Sequence, residues 1–226
     1  MSTMLRVPMR VLAFALVLVL ASFPHRALAQ DPPPPIPWVV VDLHASIPRF
    51  PSEDPQLAES RDMVLAELPG SGLGAQIGVH IYPLRTRVVT IGLGGELAIG
   101  RARSAPVANA TATGATPLRA AEERITSLSP QLSLNFGNGS GWSYLSAGLG
   151  TTTWYLATDD LGEYPPNSDR LKTLNYGGGG RWFIKPHLAF SFDVRFYAIS
   201  PGIAYNFEEP TPRTTLLIIG AGISVK

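Results

Sequence analysis

The chain contains no cysteine, which removes disulfides, thiolate metal sites and a thiol nucleophile from consideration. Export without cysteine suits an envelope whose folding does not rely on disulfides. Charge is scarce as well. Asp, Glu, Lys and Arg make up 15% of the residues, well short of the roughly one quarter usual in a soluble domain. Much of the surface is therefore expected not to face water. The formal net charge is +1 with no basic stripe, which argues against nucleic acid as a partner. Long apolar runs are missing too, with one exception at the start.

That exception lies in residues 1–29, which read as a cleavable secretory signal. Arg6 and Arg10 precede the apolar run VLAFALVLVLA at 11–21, and Ala27-Leu28-Ala29 forms an A-x-A cleavage site before Gln30. The run is shorter than the roughly 20 residues needed to span a bilayer. Loss of Arg6, Arg10 and Arg26 takes the basic residues from 18 to 15 against 17 acidic ones, a mature net charge of −2. Any further membrane crossing has to be made by strands.

What is abundant is turn formers and alternation. The chain holds 22 Gly and 21 Pro, and 45% of it is hydrophobic, too much for a disordered chain. Residues 187–200 (HLAFSFDVRFYAIS) show the pattern best. Leu188, Phe190, Phe192, Val194 and Phe196 share one face of an extended strand, with Ala189, Ser191, Asp193, Arg195 and Tyr197 on the other. The same two-sided pattern recurs at 38–47, 71–83, 87–101, 124–136, 142–155, 171–184 and 213–226. Before them, residues 30–37 are a proline-rich leader that reads as a stiff spacer. A short helix is expected within 55–68.

The connections alternate in length. Residues 48–70, 102–123, 157–170 and 201–212 are long, whereas 84–86, 137–141 and 185–186 are tight. The middle one, GNGSG, is a hairpin turn by composition. Eight antiparallel strands place both ends and all short turns on one side. This predicts an all-β, eight-stranded antiparallel up-and-down transmembrane β-barrel over 38–226, since outer-membrane barrels pair short periplasmic turns with long external loops.

Alternation alone leaves open which face is outside, and a soluble ligand-carrying barrel would turn its apolar face inward. Three features favour the membrane arrangement. The polar face carries Asp42, His44, Gln76, His80, Glu96, Arg181, Asp193 and Arg195 but few lysines, as a filled lumen would. That face is also rich in Gly, which suits a crowded interior. Trp38, Tyr82, Trp142 and Trp182 fall near the short-turn ends and are expected to form an interfacial girdle. Trp154, Tyr155 and Tyr197 are candidates for the opposite belt.

From about Trp38 to Lys226 the chain resembles the OmpA/OmpX-like small outer-membrane β-barrels, the outer membrane protein beta-barrel family. Gly220-Ala221-Gly222-Ile223-Ser224-Val225 is similar to the insertion signal of such barrels, though it lacks a terminal aromatic and ends in Lys226. The resemblance implies residence in the outer-membrane bilayer and insertion by the barrel-assembly machinery.

For function, the polar network reads first as a structural plug, because buried charges must pair. A narrow path for ions or small solutes is the alternative, and a periplasmic lipocalin-like carrier a further one. Catalysis is not expected. His44, with Ser46 beside it in alternation, is the only pair that invites a general-base reading, and its spacing does not single it out. No cofactor or metal is expected, since Asp159, Asp160 and Glu163 lack a calcium-loop spacing. The Gly177–Gly180 run lies within a strand pattern, without the following helix of a phosphate loop. An unidentified external partner would bind the long loops.

Overall fold

In the computed structural model, residues 33–105, 118–158, 168–202 and 210–226 are described. The expected signal at 1–29 lies outside them, as does most of the second, third and fourth long loops. Eight strands form one closed antiparallel barrel in sequence order. They are β1 (Val39–Arg49), β2 (Leu73–Arg85), β3 (Thr90–Arg103), β4 (Ala121–Asn138), β5 (Gly141–Thr158), β6 (Ser168–Lys185), β7 (Leu188–Ile199) and β8 (Thr214–Val225). Closure is made by β1 on β8, from Val41↔Val225 to Arg49↔Leu217. The fold is the one anticipated from alternation. Among the described residues no helix is long and apolar enough to cross a membrane.

Each strand sorts its residues by parity. On β1, Val39, Val41, Leu43 and Ile47 are exposed, while Val40, Asp42, His44 and Ser46 are buried. Leu132 and Leu134 on β4, Leu145 and Leu149 on β5, and Phe190, Phe192 and Phe196 on β7 continue the exposed apolar belt. Water would penalise so large a continuous apolar surface; hydrocarbon does not. Aromatic stacking tightens one side of the belt, with Trp182 on Phe190 and Phe192 and Tyr176 on Phe196.

The strands run further than alternation suggests. β4, β5 and β6 each have 18 residues, because β4 and β5 keep pairing up to Ala121↔Thr158 at the long-loop end. Irregularities shift the ladder between Ile81 and Leu84 and between Phe183 and Lys185, both beside short turns.

The first long loop is folded. Asp54 caps the helix α1 (Pro55–Glu59), accepting from the backbone N–H of Gln56 and Leu57 at 3.0 and 3.2 Å, with proline at its first turn. A 3-10 turn, Leu65–Glu67, follows. The helix expected within 55–68 is thus two short pieces. Asp62, between them, turns the chain with a φ of 49°.

Candidate functional site

The lumen is the place where the polar residues singled out by sequence converge, and it has three layers. At the short-turn end Tyr82 and Trp142 meet edge to face at 6.0 Å, and Phe183 stacks on Trp142 at 5.3 Å. Ile36 and Val40 complete this apolar cluster. The proline-rich leader is therefore more than a spacer. Its Ile36 is buried, and the N–H of Gly139 donates to the Pro34 carbonyl at 2.6 Å, fastening the leader to the β4–β5 turn.

The girdle assignment needs correction here. Trp38 and Trp182 do face outward, at 64% and 52% exposure, but Tyr82 and Trp142 are 0% and 3% exposed. They have the parity of His80 and Tyr144, and parity rather than height along the barrel decides which way a side chain points. Trp154 and Tyr197, expected in the opposite belt, are buried in the lumen for the same reason. Tyr155 stays on the wall, with the Arg124 guanidinium 5.4 Å from its ring.

The middle layer is ionic. Arg181 grips Asp42 with Nε and Nη2, and Ser224 donates to the same carboxylate. His80 Nε2 lies 3.4 Å from Asp42. The Arg181 guanidinium lies over the rings of Tyr144 and Trp142, 4.2 and 5.6 Å from their centroids. Asp193 and Arg195, two apart on β7 and so on one face, form a second pair with contacts of 3.1 and 3.0 Å. Tyr144 donates to Asp193 at 2.8 Å, and Arg195 donates to Ser146 at 2.9 Å. Arg195 also approaches Glu96 at 3.3 Å, and Tyr197 donates to Glu96 at 2.6 Å. A carboxylate in a low-dielectric interior needs such partners.

His44 shares a 2.7 Å hydrogen bond with Ser191 on β7, not with Ser46. The pair weighed for catalysis does not form, and His44 sits in the middle of β1. Two glycines make this packing possible. A Cβ on Gly94 would lie 2.4 Å from His80 Nδ1, and one on Gly220 would lie 2.2 Å from Gln76 Oε1.

Sequence reasoning missed the third layer, at the long-loop end. There the lumen is apolar, lined by Ala98, Ala102, Ile125, Leu156, Leu216 and Ile218 among others. The first long loop covers it, burying Phe50, Leu57, Ala58, Met63 and Leu68 in the same cluster. Glu67 ties the cover down, accepting from the Arg119 backbone N–H at 2.8 Å and from its Nε at 3.0 Å. Those bonds hold the Glu67 carboxyl far below its ordinary range, at about 2. Within the layer Trp154 donates to Glu123 at 2.7 Å. Both have lumen parity, Glu123 with Ser127 and Ser129, Trp154 with Trp142, so parity finds Trp154 within its expected strand and Glu123 one residue before the start of its own.

Among the described residues no group of His, Asp and Glu is arranged to hold a metal ion. Asp159, Asp160 and Glu163 lie outside those residues. Gly177–Gly180 lies within β6, paired with Ser146–Ser143 and with Arg195–Phe192, so it is barrel wall.

No family model matches the chain, and no curated protein matches it. Among solved structures, it is similar to Neisserial surface protein A (NspA), with 16% identity over 83% of this chain and 96% of that one and a TM-score of 0.53. It also aligns with Ail, the attachment invasion locus protein of Yersinia pestis, with 12% identity over 83% of this chain and 96% of that one and a TM-score of 0.43. The outer membrane protease OmpT from Escherichia coli aligns with 8% identity over 70% of this chain and 64% of that one, at a TM-score of 0.40. The likeness to NspA is one of fold, the small outer-membrane β-barrel.

Proposed function

We propose that the chain is exported by the signal in residues 1–29 and resides in the bacterial outer membrane as a closed, non-conducting barrel. Its role is structural or surface-interacting, exercised through the four long loops toward an external partner. The barrel-assembly machinery inserts it, and the short turns face the periplasm. One observation carries this reading: Asp42 pairs with Arg181 and Glu96 with Arg195 across the lumen, between an apolar layer stoppered by Ile36 and one covered by the first long loop.

A carrier would turn its apolar belt into the lumen, yet among the described residues that belt faces outward. A channel would need a continuous polar path, and a buried apolar cluster interrupts it toward each end. The enzyme reading is disfavoured because the His44–Ser191 pair is buried below the cover.

The test is to refold the mature chain in detergent, compare gel mobility boiled and unboiled, and record conductance in a planar bilayer. A mobility difference without discrete conductance steps is expected. Solubility in plain buffer with unchanged mobility would overturn the membrane assignment. Conductance steps altered by Asp193→Ala would overturn the closed lumen.

A further inference from the structure

The outer wall carries a groove of about 830 Å³ across β5 to β8, near the long-loop end. Strand register orders its lining by height. The uppermost row has Thr151 paired with Lys172, with the N–H of Ser200 bonded to the Lys172 carbonyl and Arg213 just before β8. The next row is Leu149, Leu174, Ala198 and Thr215. Below it Tyr176 pairs with Phe196, their rings stacked at 5.5 Å. The small Ala198 between larger neighbours leaves the depression.

Charge is unbalanced in the same way. Lys172 and Arg213 are exposed, and among the described residues no carboxylate lines the groove. Cations therefore stand above hydroxyls, aliphatic side chains and then aromatic rings. That order is complementary to an amphiphile with a negative head and hydrocarbon chains.

We propose that this groove binds a phosphorylated, multiply acylated lipid of the outward-facing leaflet. Its phosphate sits between Lys172 and Arg213, and its acyl chains lie along Leu149, Leu174 and Tyr176. The inference rests on the membrane reading above and adds a specific lipid site to it. A zwitterionic headgroup already balances its phosphate with its own ammonium and brings no net negative charge to Lys172 and Arg213.

Native mass spectrometry of the mature barrel in nonionic detergent tests the site, with lipid A, phosphatidylcholine and inorganic phosphate as probes. One lipid A per barrel is expected to be retained where phosphatidylcholine is lost. The double variant K172Q/R213Q should weaken retention by about tenfold or more. Ala198→Leu, which fills the groove and leaves both charges, should weaken it too, whereas Arg87→Gln at the opposite rim should not. Equal retention of both lipids, or an unchanged double variant, would overturn the proposal. So would displacement of lipid A by inorganic phosphate, which would mark a free-anion site. A barrel that keeps its gel mobility shift but retains no lipid A would lose the groove proposal alone and leave the membrane reading standing.

Discussion

Asp42 on β1 and Arg181 on β6 are 139 residues apart, yet they meet in a two-pronged ion pair, Nε to Oδ1 at 2.8 Å and Nη2 to Oδ2 at 2.5 Å. The two strands are not neighbours around the barrel, so the bond crosses the lumen. Removing one partner strands the other as a buried, uncompensated charge, which typically costs about 3–5 kcal/mol. Arg181→Met should therefore lower the urea midpoint of the refolded barrel sharply. The double variant Asp42→Asn with Arg181→Met should recover much of the loss. A single variant as stable as the parent would show that the pair does not brace the barrel.

The position of the aromatics predicts an unequal response. Trp142→Ala empties part of the apolar layer beneath Arg181, a loss of about 3–5 kcal/mol for a buried tryptophan. Trp182→Ala removes a side chain from the outer wall and should cost less. The temperature at which the compact gel band disappears reports both. A girdle role for Trp142 predicts the reverse order.

Gly94→Ala would place a methyl group 2.4 Å from His80 Nδ1 and 2.6 Å from the Val79 carbonyl. A cost of about 1–3 kcal/mol is expected for overpacking of this kind. Adding His80→Ala should restore only part of it, because the carbonyl cannot step aside. Full restoration in urea unfolding would show that the ring alone occupies the space.

Acid should release the cover. Glu67 is held down from its ordinary 4.5 to about 2, chiefly by the side-chain hydrogen bond from Arg119. A carboxylate depressed in the folded state contributes fully above its unfolded value, and that contribution fades as the pH falls through the folded value. The backbone N–H of Val64, which donates to Glu67 at 3.1 Å, is the reporter. Its NMR shift should titrate with a midpoint near 2 rather than 4.5, and Glu67→Gln should abolish the titration.

Parity made the barrel legible. A period of two, repeated eight times between loops of alternating length, separates wall from lumen without knowledge of any contact. It placed Asp42, Arg181, Asp193 and Arg195 on one face together. The same rule places Tyr82 and Trp142 inside; grouping them by height with Trp38 and Trp182 overrides it. Other features have no local signal. Which lumen side chains meet depends on the stagger of the closed sheet, so His44 with Ser191 and Tyr197 with Glu96 are not readable from spacing. Nor is the burial of Ile36 or of Leu57 and Met63, whose segments lack the period that reveals a strand.

Ser224 donates to Asp42 as the strand that carries it closes the sheet against β1. Order of synthesis gives this contact a meaning beyond stability. Until residues 214–225 are in place, Val39–Arg49 and Leu188–Ile199 are both open edges, each a row of backbone groups seeking a partner. Such edges recruit strands from other chains. The twelve residues of β8 therefore act as a clasp that ends this exposure, and a chain truncated before them is a template for aggregation.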